Sequence, residues 1–158
     1  MRPYSPKAHE LKLSLEAGVV ECEEIIAWAD GILLDYDYDD DVANVALAAN
    51  RSPKELMSLL GKVIDESDAL AAIRCTMGRM YRILQAHPER GHNFARFLEN
   101  FWIQRGYDVP QDMSFMAGIE DVFQLAEQGV YGTVTDARRS LLGSLAQFRG
   151  NIETAGGA

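Results

Sequence analysis

The sequence predicts an all-α chain: a single domain over residues 1–150 with seven or eight helices packed as αα-hairpins in a bundle, a short HEAT-like stack being the alternative. Three observations lead there. Apolar residues recur at helical spacing along almost the whole chain, no segment alternates as a strand does, and helix start and stop signals punctuate the pattern. With 158 residues, of which 47% are hydrophobic, the chain can bury a core without a disulfide or metal staple.

Ser5-Pro6 predicts a cap followed by proline at the first helical position, opening a short helix toward Ala17 that presents Leu11 and Leu15 on one face. Gly18 ends or kinks it. A second helix, about Val20 to Leu34, carries the stripe Cys22, Ile25, Ile26, Ala29, Ile32 and Leu33, with Glu21, Glu23, Glu24 and Asp30 mostly opposite. An acidic loop, Asp35 to Asp41, precedes a short apolar helix from Val42 to Ala49.

Ser52-Pro53-Lys54-Glu55 is a capping box with proline at N1, and its helix uses Leu56, Leu59, Leu60 and Val63. After a turn at Asp65 to Asp68, a long helix spaces Leu70, Ile73, Met77, Met80, Tyr81 and Leu84 until His87-Pro88 stops it. From Gly91 to Gly106 an aromatic helix aligns Phe94, Phe97, Leu98, Phe101 and Trp102. Tyr107 to Asp112 reads as loop, and Met113 to Gln128 as one helix using Met116, Ile119, Val122, Phe123 and Ala126. Gly129-Val130-Tyr131-Gly132 is a turn. Thr133 or Thr135 caps a last helix with Ala137, Leu141, Leu145 and Phe148, and residues 151–158 are expected to be a disordered tail.

The net charge of −9 is unevenly placed. Residues 1–68 hold 15 acids and 6 bases, whereas residues 69–158 hold nine of each, and all nine bases there are arginine. Between Leu13 and Asn50 there are ten acids and no lysine or arginine. Such a stretch repels nucleic acid and anionic lipid and attracts a basic protein partner. Met1 to Leu15 holds no continuous apolar run of the signal-peptide kind, and no run reaches the length of a membrane span, which predicts a cytoplasmic chain that touches neither membrane nor nucleic acid. Cys22 and Cys75 fit no ligand spacing and read as reduced core thiols.

The loop Asp35-Tyr36-Asp37-Tyr38-Asp39-Asp40-Asp41 has three readings. It is a solvated loop whose last aspartate caps the next helix, a contact surface for a basic partner, or a cation site. Carboxylates at Asp35, Asp37 and Asp39 match positions 1, 3 and 5 of a calcium loop, but Asp40 and Ala46 stand where that loop needs glycine and glutamate. Tyr36 and Tyr38 favour a contact patch, giving partner-binding candidates Glu21, Glu24, Asp35, Tyr36, Asp37, Tyr38, Asp39, Asp40 and Asp41.

His87 and His92 with Glu89 between them form a second, weaker metal candidate. Arg74, Arg79, Arg82, Arg90 and Arg96 offer guanidinium groups to an anion, or pair internally with the acidic first half, which is the preferred reading. No nucleophile elbow, phosphate loop, dinucleotide fingerprint or other cofactor motif occurs, so no catalytic residue and no cofactor is assigned.

Two segments carry a resemblance. Ile25-Ile26-Ala27-Trp28-Ala29-Asp30, and Ala126-Glu127-Gln128-Gly129-Val130-Tyr131-Gly132-Thr133 before a leucine-rich helix, resemble small bacterial all-α proteins without assigned activity. Those proteins have a Trp-Ala-Asp helix near the N-terminus and a Gly-[Ile/Val]-Tyr-Gly-Thr turn before the last helix. The similarity spans about residues 15–148; the aspartate loop is not part of it. It implies a bacterial source and one helical domain, and carries no catalytic residues. Physically, Trp28 would anchor by burial, Asp30 by bonding its ring or a helix end, and Tyr131 would plug the turn between two glycines.

Three functions fit: a non-catalytic interaction module of the immunity or adaptor kind that docks a basic partner, a metal-dependent enzyme or regulator using the Asp35–Asp41 loop or His87 and His92, and a structural subunit of an oligomer.

Overall fold

In the computed structural model, which describes residues 1–66 and 68–151, the chain is helical throughout, with no strand among the described residues. Eight α-helices follow one another: α1 (Ser5–Glu16), α2 (Cys22–Asp35), α3 (Asp40–Ala46), α4 (Pro53–Val63), α5 (Ala69–Ala86), α6 (Gly91–Gln104), α7 (Ile119–Glu127) and α8 (Val134–Ala146). Short 3-10 segments at Pro88–Arg90 and Gln111–Met116 lie on either side of α6. Of the expected tail over residues 151–158, all but Asn151 lies outside the described residues. The chain separates into two compact units, Met1–Thr76 and Met77–Gly150.

In the first unit α1 packs on α4, and α3 on both α2 and α4. The core collects Leu11 and Leu15 of α1, Ile25, Ala29 and Ile32 of α2, Val42 and Val45 of α3, and Leu56, Leu60 and Val63 of α4. The spacing of Ile25, Ala29 and Ile32 puts them on one stripe of α2, as the sequence pattern requires.

α1 departs from that pattern. Lys7, Glu10 and Ser14 are buried as well as Leu11 and Leu15, so it is enclosed on more than one side. These polar groups answer one another. Lys7 Nζ lies 3.3 Å from Glu10 Oε2, and Ser14 Oγ lies 3.5 Å from Glu10 Oε1 and 3.0 Å from Thr76 Oγ1.

Two helix starts differ from the sequence reading. Ser5 is not a cap but the first residue of α1, and its hydroxyl accepts the amide N–H of Asp65 at 2.7 Å. Ser52 does cap α4, accepting from the Glu55 amide at 3.2 Å, while the Glu55 carboxylate turns to Arg51 at 3.2 Å.

In the second unit α6 packs on α7 and α8, and α7 packs on α8. Phe94, Leu98, Met113, Met116, Phe123, Leu141, Leu145 and Phe148 are buried. The segment read as one helix over Met113 to Gln128 is broken. Its first part is a 3-10 turn, Ala117 is extended, and Gly118 takes φ of +70° before α7 begins. The α7 C-terminus closes as a Schellman motif: the Gly129 amide donates to Ala126 at 3.1 Å and the Val130 amide to Leu125 at 2.9 Å, with Gly129 in the left-handed region. Thr133, not Thr135, caps α8, accepting from the Asp136 amide at 3.1 Å. Tyr131 plugs nothing; it is 78% exposed.

Candidate functional site

The aspartate loop divides into a structural half and a solvent-facing half. Asp39 is the α3 cap, which the last aspartate of the run had been expected to provide. Asp39 Oδ1 accepts from the amides of Asp41 at 2.9 Å and Val42 at 3.4 Å. Asp40 and Asp41 fall in the first turn of α3, where the helix dipole favours negative charge.

Arg2 closes the cluster. Its Nε lies 2.8 Å from Asp39 Oδ2, its Nη2 2.8 Å from Asp41 Oδ2, and its Nη1 3.3 Å from Asp65 Oδ1. Nη1 also donates to the carbonyls of Lys62 at 2.9 Å and Val63 at 3.1 Å, at the α4 C-terminus, and the Arg2 amide donates to Asp65 Oδ2 at 2.8 Å. A guanidinium thus fills the point on which three carboxylates converge. The cation that meets Asp39 and Asp41 comes from the same half of the chain. No group of three or more His, Cys, Asp or Glu side chains placed to hold a metal ion is found among the described residues.

Tyr4 completes the arrangement. It is buried, its hydroxyl donates to Asp39 Oδ2 at 2.6 Å, and its ring meets Tyr36 edge-on at 5.2 Å. Burial, then the hydrogen bond to Asp39 and the charge on that carboxylate, push the Tyr4 phenol up to about 12. Burial also works against the charge on Asp39. Its bonds from Tyr4 and the Val42 and Asp41 amides, with Arg2 beside it, nevertheless hold its carboxyl below the usual range.

A phenol with a raised folded value stabilises the fold fully below its unfolded value of about 10, and that contribution is lost as pH rises toward the folded value. Absorbance titration should therefore show a tyrosinate phase near pH 12 that Tyr4→Phe removes. Persistence of the phase in that variant would assign it elsewhere.

The other expected partner-binding residues face solvent. Glu21 and Glu24 at the start of α2 are exposed, as are Asp35, Asp37 and Asp40. Tyr36 is 40% exposed, and Tyr38 is 74% exposed. Leu34 and Leu47, which the periodicity did not single out as exposed, stand out from neighbouring elements at 86% and 81% exposed. Leu47 also borders a shallow groove of about 370 Å³ with Asn44, Arg51, Glu55, Ser58 and Leu59, in which Arg51 is already bonded to Glu55. Asp30 is exposed and does not hold the indole of Trp28, whose buried N–H meets no acceptor among the described residues.

His87 and His92 do not converge. His87 Nδ1 is 3.2 Å from Glu89, whereas His92 lies between α6 and α7, with Nδ1 2.9 Å from Glu127 and Nε2 3.6 Å from Glu120. Arg96 pairs with the same Glu120 at 2.9 Å, and the Arg90 guanidinium lies 4.9 Å from the centre of the Phe94 ring. Cys75 is buried and Cys22 half-buried, and the two are not joined in a disulfide.

No protein-family model, curated protein or solved structure matches the chain. No helix of the described residues is long and apolar enough to cross a membrane.

Proposed function

We propose that this chain is a bacterial, cytoplasmic, non-catalytic interaction module, of the immunity or adaptor kind, that docks a basic protein through α2 and the loop after it. One observation carries the reading. Exposed Glu21, Glu24, Asp35, Asp37 and Asp40 share a stretch without a single base, and exposed Leu34, Tyr38 and Leu47 lie on the same and adjoining elements. Apolar and aromatic contacts supply the desolvated centre of an interface, and carboxylates steer a cationic partner toward it. Asp39 and Asp41 belong to the fold and are not counted as docking groups. Immunity proteins against basic nuclease toxins share this logic.

The test is capture of partners from lysate at low and high salt, with wild type and with the triple variant Asp35→Lys, Asp37→Lys, Asp40→Lys. Expected are a basic protein released by salt and retention at least about tenfold weaker in the variant, since rim charges set association rate and salt dependence. Capture of a basic protein that neither salt nor the triple variant disturbs, or failure to capture one, overturns electrostatic docking. A second reading, a subunit of an oligomer, draws on a separate surface, where α7 leaves Val122 and Leu125 exposed.

A further inference from the structure

We propose that the groove between α7 and α8 is a self-association face, at which a second copy of this chain docks through the same groove related by a two-fold axis. The inference rests on the oligomer reading and names its surface.

Helix α7 buries Ile119 and Phe123 and leaves Val122 half exposed at the edge of that stripe, with Leu125 also open. The Schellman closure then turns Val130 and Tyr131 outward, 67% and 78% exposed. A Schellman closure commonly packs the residues corresponding here to Val130 and Leu125 against each other, yet both retain exposed area. Beside them lies a groove of about 500 Å³ with small walls, Ala126, Gly132 and Ala137, and with Tyr131 at its lip. Small residues make room for a side chain, and the lip holds a large aromatic one. A two-fold axis would let each Tyr131 enter the groove of the other copy, as an isologous contact requires.

Charge selects the occupant. Among the described residues the groove is lined by a single charged side chain, Asp136, and Arg139 on the same helix already holds it at 3.0 Å. A strongly basic or acidic partner finds no net charge to meet. A second copy brings the same Asp136–Arg139 pair, so the two faces meet without surplus charge of either sign. Residues 69–158 balance at nine acids and nine bases, so approach through this part of the chain avoids the repulsion that the surplus of the first 68 residues imposes on contact through them. Tyrosine at the centre of a small apolar patch is the composition that dominates binding energy in such contacts.

Sedimentation equilibrium of the full chain at about 5 to 200 µM, in about 0.15 M salt, tests this. The expected result is reversible association to twice the 17.6 kDa chain mass. Val122→Glu and Tyr131→Ser, each of which alters an exposed side chain, should each raise the dissociation constant about 30-fold or more, with unchanged circular dichroism confirming that they fold. A chain that stays at 17.6 kDa throughout overturns both the face and the oligomer reading. A dimer that neither substitution weakens overturns the face alone. Association to a higher, open-ended mass overturns the two-fold arrangement.

Discussion

Replacing Glu10 by alanine should lower the stability of the chain by about 3–5 kcal/mol, the cost of breaking a buried ion pair by removing one member. Glu10 is fully buried in α1, and Lys7, one turn earlier, is 8% exposed. Without the carboxylate the ammonium stays in a poorly solvated position, and Ser14 loses one of its two side-chain partners among the described residues, keeping Thr76. The Ser14–Thr76 contact joins α1 to the middle of α5, so the loss spreads beyond one helix. Glu10→Gln keeps the shape and an acceptor for Ser14, and should recover part of the difference. Urea denaturation followed by circular dichroism measures both. An alanine variant within about 1 kcal/mol of wild type would show that this polar stripe contributes little, since such a change is that of an ordinary surface substitution.

The second large effect belongs to Arg2. Arg2→Ala should cost about 3 kcal/mol, at the low end of the buried-pair range because the guanidinium and two of its three carboxylates remain partly solvated. The loss has two parts: three aspartates left facing one another, and the Lys62 and Val63 carbonyls left without a donor. Salt should return some of the first part by screening and little of the second.

The pH dependence has a definite sign. The folded carboxyl of Asp39 titrates below its ordinary range, so its stabilisation is complete above the unfolded value of about pH 4 and is lost as pH falls through the lower folded value. The gap between wild type and Arg2→Ala should narrow across that acid window. Melting curves at stepped pH would show it, and a gap that widens in acid would contradict the assignment.

Helix identity was legible in the sequence because it depends on neighbours three and four positions apart. The stripe of α2, the Ser52 cap, the stop at His87-Pro88 and the Gly129 turn are all local signals, and all are found. The break at Gly118 escaped because Met113, Met116 and Ile119 keep helical spacing across it. A 3-10 turn followed by a left-handed glycine can bury the same residues as a continuous helix.

The candidate site was only half legible. An excess of carboxylates over residues 13–50 is a property of composition, and exposure of Asp35, Asp37 and Tyr38 accords with it. That Asp39 and Asp41 are instead bound to Arg2 depends on contacts 37 and 39 residues apart, and Asp65 joins them from 63 residues away. No periodicity encodes such a meeting. The surplus of acid hid it, because one arginine near the N-terminus is a small term in a charge count.

The Arg2 contacts also order events during synthesis. Arg2 leaves the ribosome long before its last partner, 63 residues behind. At about 5–20 residues per second, that delay is roughly 3 to 13 seconds. Until Asp65 and the Val63 carbonyl emerge, the first segment has no completed socket to enter. Closure of the first half therefore comes late, set by the appearance of the α4 end, and a nascent chain halted before that point holds an incomplete latch.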